Sequence, residues 1–177
     1  MRILTVALVL AAATLAPAAR VEDKGLRYTV PSEWSRIPAP SDVRAAQYRI
    51  PGVPDAAQDG ELVLFHFGPG QGGSANDNLQ RWYGQFTQPD GRSSKEAAVV
   101  TIRTVKGLEV TAVDLSGTYR PAPMGGTGGG PRPDWRLLGA VVEGAGGPWF
   151  FKATGPKATM REAKDAFEAV LLSLEPH

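Results

Sequence analysis

The sequence predicts an α+β fold, a mainly antiparallel sheet of about six to seven strands with two packed helices. Three observations predict it. Apolar residues recur with period two along several short segments and with period 3.6 along two others. The strand-like segments are joined mostly by hairpin signals, with one possible strand-helix-strand crossover around the first helix. Each helical segment carries one apolar stripe, so each needs a single sheet face to cover, which gives a sandwich.

The chain opens with a secretory signal. Arg2 gives a short positive start, Ile3 to Ala13 is uncharged and apolar, and Ala16-Pro17-Ala18 offers small residues for a signal peptidase. The apolar run to Ala16 is shorter than the ~20 residues that span a bilayer, and Pro17 disfavours a continued helix. Residues 1–18 are therefore expected to be a cleavable signal peptide, and residues 19–177 one globular domain. No twin-arginine pair is present, which points to the Sec route. The lack of cysteine removes a lipoprotein anchor. The mature product is expected in the periplasm or secreted, with no stable membrane span after cleavage.

The elements of residues 19–177 follow in order. Leu26 to Val30 is a short strand stopped by Pro31, and Pro31-Ser32-Glu33-Trp34 is a turn with an aromatic anchor. Asp42 to Ile50 is a second strand ending at Pro51. Leu62 to Phe67 is almost continuously apolar, which suits a central strand covered on both faces. After Gly68-Pro69-Gly70-Gln71-Gly72-Gly73 a helix begins, with Ser74 as N-cap and Asp77 in its first turn. Leu79, Trp82, Tyr83 and Phe86 form its stripe. Ala98 to Val105 and Leu108 to Tyr119 are β-branched strands joined by a tight turn at Lys106-Gly107. Trp135 to Glu143 and Trp149 to Ala153 make a last hairpin. The closing helix starts near Thr159, where Thr159 and Glu162 fit a capping box, and its stripe runs Met160, Ala163, Phe167, Val170, Leu171, Leu174.

Charge narrows the function. The chain has 19 basic and 18 acidic side chains, and Arg2 is the only charge in the first 18 residues, so the mature domain is formally neutral. Nucleic acids and anionic membranes are bound through clustered excess positive charge, which is missing here. Without cysteine there is no thiol catalysis and no cysteine metal site.

The motifs that resemble chemistry each lack a part. Gly68, Gly70 and Gly73 match G-x-G-x-x-G between a strand and a helix, but Asp90 lies in a turn where a dinucleotide site needs an acidic strand end. The segment is then either a tight connection needing positive φ or a nest of amides for an anion. His66 is the only histidine besides the terminal His177, too few for a metal site, and as a base it needs a carboxylate such as Asp114 or Glu143 beside it. Arg44, Arg49, Arg103 and Arg136 are strand charges available to neutralise those acids. No serine sits in a nucleophile elbow. No catalytic residue, cofactor or metal is expected.

Arg120 to Pro133 holds five glycines and four prolines and joins two strands that a two-residue turn could join. Loops this long in compact domains are functional or simply tolerated insertions. The candidate interaction surface is accordingly Gly70, Gln71, Gly72, Gly73 and Ser74 of the first glycine segment, with Arg120, Met124, Arg132 and Trp135 of the second.

The order of these features carries a resemblance. A strand ends in Val30-Pro31 with Trp34 three residues beyond, hairpins follow, and Trp149-Phe150-Phe151-Lys152-Ala153-Thr154-Gly155-Pro156 leads into a helix ending Leu171-Leu172-Ser173-Leu174. This resembles the PsbP-like superfamily, which includes the photosystem II extrinsic subunit, a Ran-binding nuclear import factor and bacterial envelope proteins. More closely, Phe67 to Ser74, Trp82 to Phe86 and Pro89-Asp90-Gly91 look like a group of exported bacterial proteins. The resemblance spans most of the mature chain and implies a PsbP-like α/β sandwich that docks on other proteins. No residue here matches a functional residue of the photosystem or Ran-binding members, so the carry-over stops at the fold.

Three functions remain open from the sequence. The first is an exported, non-enzymatic protein-binding or assembly module whose partner is another envelope or extracellular protein. The second is a periplasmic protein binding a small anion or sugar through the 68–74 glycine loop. The third is a hydrolase built on His66.

Overall fold

A computed structural model describes residues 18–54, 56, 58–121, 130–144 and 146–177. The expected signal peptide, apart from Ala18, and Met124 lie outside the described residues.

The strands are β1 (Ala19–Asp23), β2 (Leu26–Val30), β3 (Ser35–Arg36), β4 (Arg44–Ile50), β5 (Gly60–His66), β6 (Phe86–Thr87), β7 (Val99–Val105), β8 (Leu108–Tyr119), β9 (Arg132–Glu143), β10 (Trp149–Pro156) and β11 (Glu175–Pro176). The helices are α1 (Ala75–Tyr83), α2 (Ser94–Ala97), α3 (Lys157–Glu162) and α4 (Lys164–Leu172). The large sheet runs β3-β4-β5-β10-β9-β8, with β6 and β7 both paired to the far side of β8. A small sheet of β1-β2-β11 lies apart from it. Every pairing among the described residues is antiparallel, and the strands either side of α1, β5 and β6, are not paired with each other. The chain is therefore α+β on an antiparallel sheet, and the G-x-G-x-x-G segment leads through α1 to β6, which β10, β9 and β8 separate from β5, so it does not sit between neighbouring parallel strands.

The two faces of the large sheet receive alternate residues of each strand. One face takes Tyr48, Leu62, Leu64, Ala140, Phe151 and their neighbours, and is closed by α3, α4 and the small sheet. Its centre is Phe151, whose ring meets Tyr28 of β2 edge-on at 5.8 Å. Met160, Ala163, Phe167, Val170, Leu171 and Leu174, the stripe read from the sequence, are all buried against it. The other face takes Val113, Leu115, Leu137, Val141 and Phe150, and is covered by α1 through Leu79, Trp82 and Tyr83. Trp82 comes so close that a Cβ on Gly139 would stand 2.7 Å from its ring. Glycine on β9 is what admits the helix.

Four details depart from the sequence reading. The strand β1 was not expected, since ARVED has no apolar alternation. It is held by a turn at Lys24-Gly25, both at positive φ, matching that at Lys106-Gly107. The bridges β3, β6 and β11 span two residues each, and α2 spans four, too short to carry a period. The closing helix begins at Lys157 and is divided at Ala163. The Thr159 capping box does not form, because Thr159 already lies inside the helix and its hydroxyl donates to the Gln58 carbonyl at 3.3 Å.

Candidate binding site

The helix α1 spans only nine residues and covers the sheet over β8, β9 and part of β10. Beyond its edge, the same face of β10, β5 and β4 is left open. The opening is a trough of about 770 Å³, within the ~300–1,000 Å³ of ordinary ligand pockets. Gly72 and Gly73 of the first glycine segment border it, and so do Pro121, Arg132 and Trp135, which flank the second. The first glycine-rich segment and the described ends of the second therefore border one cavity.

Its floor follows from strand alternation. On β10 the open-face residues are Phe150, Lys152 and Thr154; on β5 they are Glu61, Val63 and Phe65. Lys152 is the central polar group. Its Nζ donates to Gln85 Oε1 at 2.6 Å and Tyr119 Oη at 3.3 Å, and lies 5.4 Å from the centre of the Tyr119 ring. Burial pulls this ammonium down to about 8; Glu61 pushes the other way, and Arg44 adds to the depression. Glu61 is engaged by Gln47 Nε2 and has Arg44 at 3.8 Å.

One wall is a stack. Tyr119 lies between Phe86 at 5.0 Å and Trp135 at 5.5 Å, and the Arg132 guanidinium sits 4.7 Å over the Trp135 ring. Arg132 and Trp135 are three apart, and in a regular strand they would face opposite sides. A register shift between Gly117 and Tyr119, with Asp134 at φ +52°, brings both onto the trough side. Opposite stand Phe65 and Phe67, stacked at 6.2 Å, with Arg44 5.7 Å from the Phe65 ring.

The first glycine segment plays a different part from an amide nest. The Gly72 carbonyl accepts from Asn78 Nδ2 at 3.0 Å and from Arg81 at 3.1 Å, which anchors the segment to α1. Gly72 has φ +85° and lies where a Cβ would stand 2.6 Å from the Phe150 ring. At the helix start, Ser74 N–H and Oγ–H both donate to the Asp77 carboxylate at 3.0 and 2.7 Å, and those bonds hold that carboxyl below the usual range. The chain's own anion occupies the place considered for a ligand.

Of the residues singled out from sequence, Gly72, Gly73, Arg132 and Trp135 line the trough. Gly70, Gln71 and Ser74 are exposed outside it. Arg120 is also exposed, and its amide donates to the Gln85 carbonyl at 2.7 Å. Lys152, Tyr119, Glu61 and Gln85 were missed. The signal for Lys152 was present, a lone charge inside the apolar run Trp149-Phe150-Phe151-Lys152-Ala153.

His66 and the two acids considered with it are not gathered. His66 is buried, its Nδ1 lies 3.2 Å from the Pro148 carbonyl and its ring stacks on Trp149 at 4.6 Å. Asp114 lies on β8, separated from β5 by β9 and β10, which is about 14 Å at ordinary strand spacing. Arg136 holds it through two bonds of 2.6 and 2.7 Å, with Lys164 at 3.0 Å. Burial alone would raise this carboxyl, but those donors outweigh it and hold it low. Glu143 is exposed and alternates onto the opposite face from His66. Of the other arginines, Arg103 pairs with Glu168 and Arg49 with Asp59.

An antiparallel sheet with helices on one face, a short helix partly covering the other and a small sheet at its side defines a PsbP-like fold, as the sequence resemblance implied. Two solved structures carry that conclusion. The solution structure of cyanobacterial PsbP (CyanoP) from Synechocystis sp. PCC 6803 is similar with a TM-score of 0.56 at 14% identity, covering 96% of this chain and 98% of that one. A Pseudomonas aeruginosa protein of unknown function is similar with a TM-score of 0.52 at 12% identity, covering 92% of this chain and 99% of that one. No protein-family model matches the sequence, and comparison with curated proteins gives no match. Identities this low speak to the fold.

Proposed function

We propose that the chain is the precursor of an exported, non-catalytic binding module, and that the trough on the open half of the sheet is its recognition site. The observation that carries this reading is that the first glycine-rich segment and the described ends of the second, Pro121 and Arg132, border one cavity of about 770 Å³ floored by a half-buried lysine. Rigid strands supply the floor, loops supply the rim, and recognition residues concentrate where loops are held by a rigid scaffold. The occupant belongs to another envelope or extracellular protein, or is a small molecule in that compartment. The PsbP-like fold supports the docking habit implied by the sequence resemblance. Among the described residues no helix is long and apolar enough to cross a membrane.

A photocrosslinking amino acid tests the site. It is placed at Phe67 or Gln85 on the trough, and at Leu172, an exposed apolar residue of α4. Adducts specific to the two trough positions in living cells are expected. Adducts from Leu172 alone, or the same adducts from all three, would remove the trough as the recognition site. Mass measurement of the released protein checks export, with a chain beginning at Ala19 expected.

A further inference from the structure

We infer that the trough takes a small organic carboxylate with a flat apolar body, its carboxylate at Lys152 and its body between the aromatic walls. This rests on the reading of the trough as a binding site and names the chemistry that site selects.

The charge distribution favours an anion. Four cations line the trough: Arg44, Arg81, Arg132 and Lys152. Arg44 has Glu61 at 3.8 Å, and the remaining lining acid, Asp59, is joined to Arg49. Among the described residues, Arg81, Arg132 and Lys152 have no carboxylate within ion-pair distance. Arg81 is tied through Nη1 to the Gly72 carbonyl and to Asn78 Oδ1, and the Arg132 guanidinium lies over the Trp135 ring at the rim. Lys152 has two acceptors, Gln85 Oε1 and Tyr119 Oη, and an ammonium has three N–H bonds to give. One remains for an occupant. An ammonium taken out of water without a counter-charge is costly, so a carboxylate bound there restores what folding removed. The depression of Lys152 toward about 8 has the same origin, since burial disfavours the charged form.

The walls specify the rest of the molecule. Phe65 and Phe67 stand on one side, and Tyr119 and Trp135 on the other, each pair stacked within itself. Aromatic faces select flat apolar bodies over hydrated ones such as sugars. One ammonium with one spare donor matches a single carboxylate, whereas every oxygen of a hydrated phosphate needs a donor and the aromatic walls supply none. The occupant is thus distinguished from a free phosphate and from a neutral sugar.

The test uses the mature protein with 2-naphthoate and benzoate, their matched primary amides, and inorganic phosphate, read by calorimetry and by the side-chain NMR signals of lysine. The acids are expected to bind at least about tenfold more tightly than their amides, the factor that 1.4 kcal/mol produces. The Lys152 signal should move on addition of acid. Lys152→Met should abolish the acid-over-amide preference while retaining weak binding of both, and Arg36→Met, on the exposed bridge β3, should change neither. Equal binding of acid and amide, an unchanged preference in Lys152→Met, tighter binding of phosphate than of naphthoate, or no saturation by either acid would each overturn the assignment. Trough-specific crosslinking in cells together with failure of both acids would reject the carboxylate and leave the recognition site standing. Loss of both results rejects the site itself.

Discussion

On β10, Trp149, Phe151 and Ala153 turn to one face of the sheet while Phe150, Lys152 and Thr154 turn to the other, and the two sets meet different surroundings. The first set is sealed beneath α3, α4 and the small sheet, where buried residues from several elements form one apolar cluster. The second set begins under α1 and emerges from it, so a single strand passes from core to binding site within four residues. What separates the faces is coverage, since the strands are shared. A face with enough apolar cover becomes core; a face whose helix is only nine residues long leaves part of itself for charge and aromatic side chains. The closed face should therefore carry the stability, and the open face should tolerate or even gain from substitution while losing recognition.

Phe167 gives the largest test of that contrast. It is 2% exposed on α4 where that helix covers the closed face, and Phe167→Ala should cost about 3–5 kcal/mol in denaturant unfolding. Protein that remains folded should still bind trough ligands. A cost equal to that of a surface substitution would mean that α4 does not close the core.

Gly139 tests how the open face receives α1. An added methyl would stand 2.7 Å from the Trp82 ring, and Gly139→Ala should cost about 1–3 kcal/mol through overpacking. It should also shift the Trp82 fluorescence and widen the trough, because the helix must rise. An unchanged spectrum with unchanged stability would show that α1 seats elsewhere.

Asp114 belongs to the closed side. Its side chain is 24% exposed and that of Arg136 is 12% exposed, so Arg136→Met should cost about 1–3 kcal/mol at pH 7 by leaving the carboxylate short of donors. The native carboxyl titrates below its ordinary 3.8, so its contribution is present above that value and lost as pH falls through the native pKa. The difference between wild type and variant should close in that acid range. A gap that stays constant to pH 2.5 (about one unit below the ordinary Asp value) would assign the cost to packing.

Lys152 gives the smallest effect and the opposite sign. Lys152→Met should stabilise the protein by about 1 kcal/mol at pH 7, a value reduced for the partial exposure of the side chain. Below about pH 8 native and unfolded chains both carry the charge, and only the native one bears its desolvation. Between about 8 and the ordinary 10.5 the unfolded chain holds the extra proton, so wild-type stability rises with pH relative to the variant. The gain should shrink across that interval, which thermal melts at pH 7 and pH 10 can follow. A destabilised variant would place Lys152 in the stabilising framework of the fold.

Much of the architecture was legible because it is local. Ser74 caps α1 as its residue type and position require, and the Met160 to Leu174 stripe is buried throughout. The Lys106-Gly107 turn has the positive φ values that its hairpin needs. Thr159 was misread because a capping-box pattern also occurs one turn inside a helix, where tertiary contact with Gln58 claims the hydroxyl. The site was legible in part: Gly72, Gly73, Arg132 and Trp135 could be picked as punctuation and neighbouring contacts. Lys152 and Tyr119 read as ordinary strand residues.

The sequence by itself determined the longer strands, the two amphipathic helical segments and the apolar stripes these must bury, since periodicity, caps and turn residues act within a few positions of the chain. It also determined the near balance of 19 basic and 18 acidic side chains and the absence of thiol chemistry. Only the tertiary structure decided which half of the second face goes uncovered, because that depends on the register of β5, β10 and β9 and on where α1 seats against Gly139. The bulge opposite Gly117 decided that Arg132 and Trp135 share a face. Lys152 becomes a binding group only through partners at positions 85 and 119 that pairing and packing bring to it, and no local pattern encodes such a meeting.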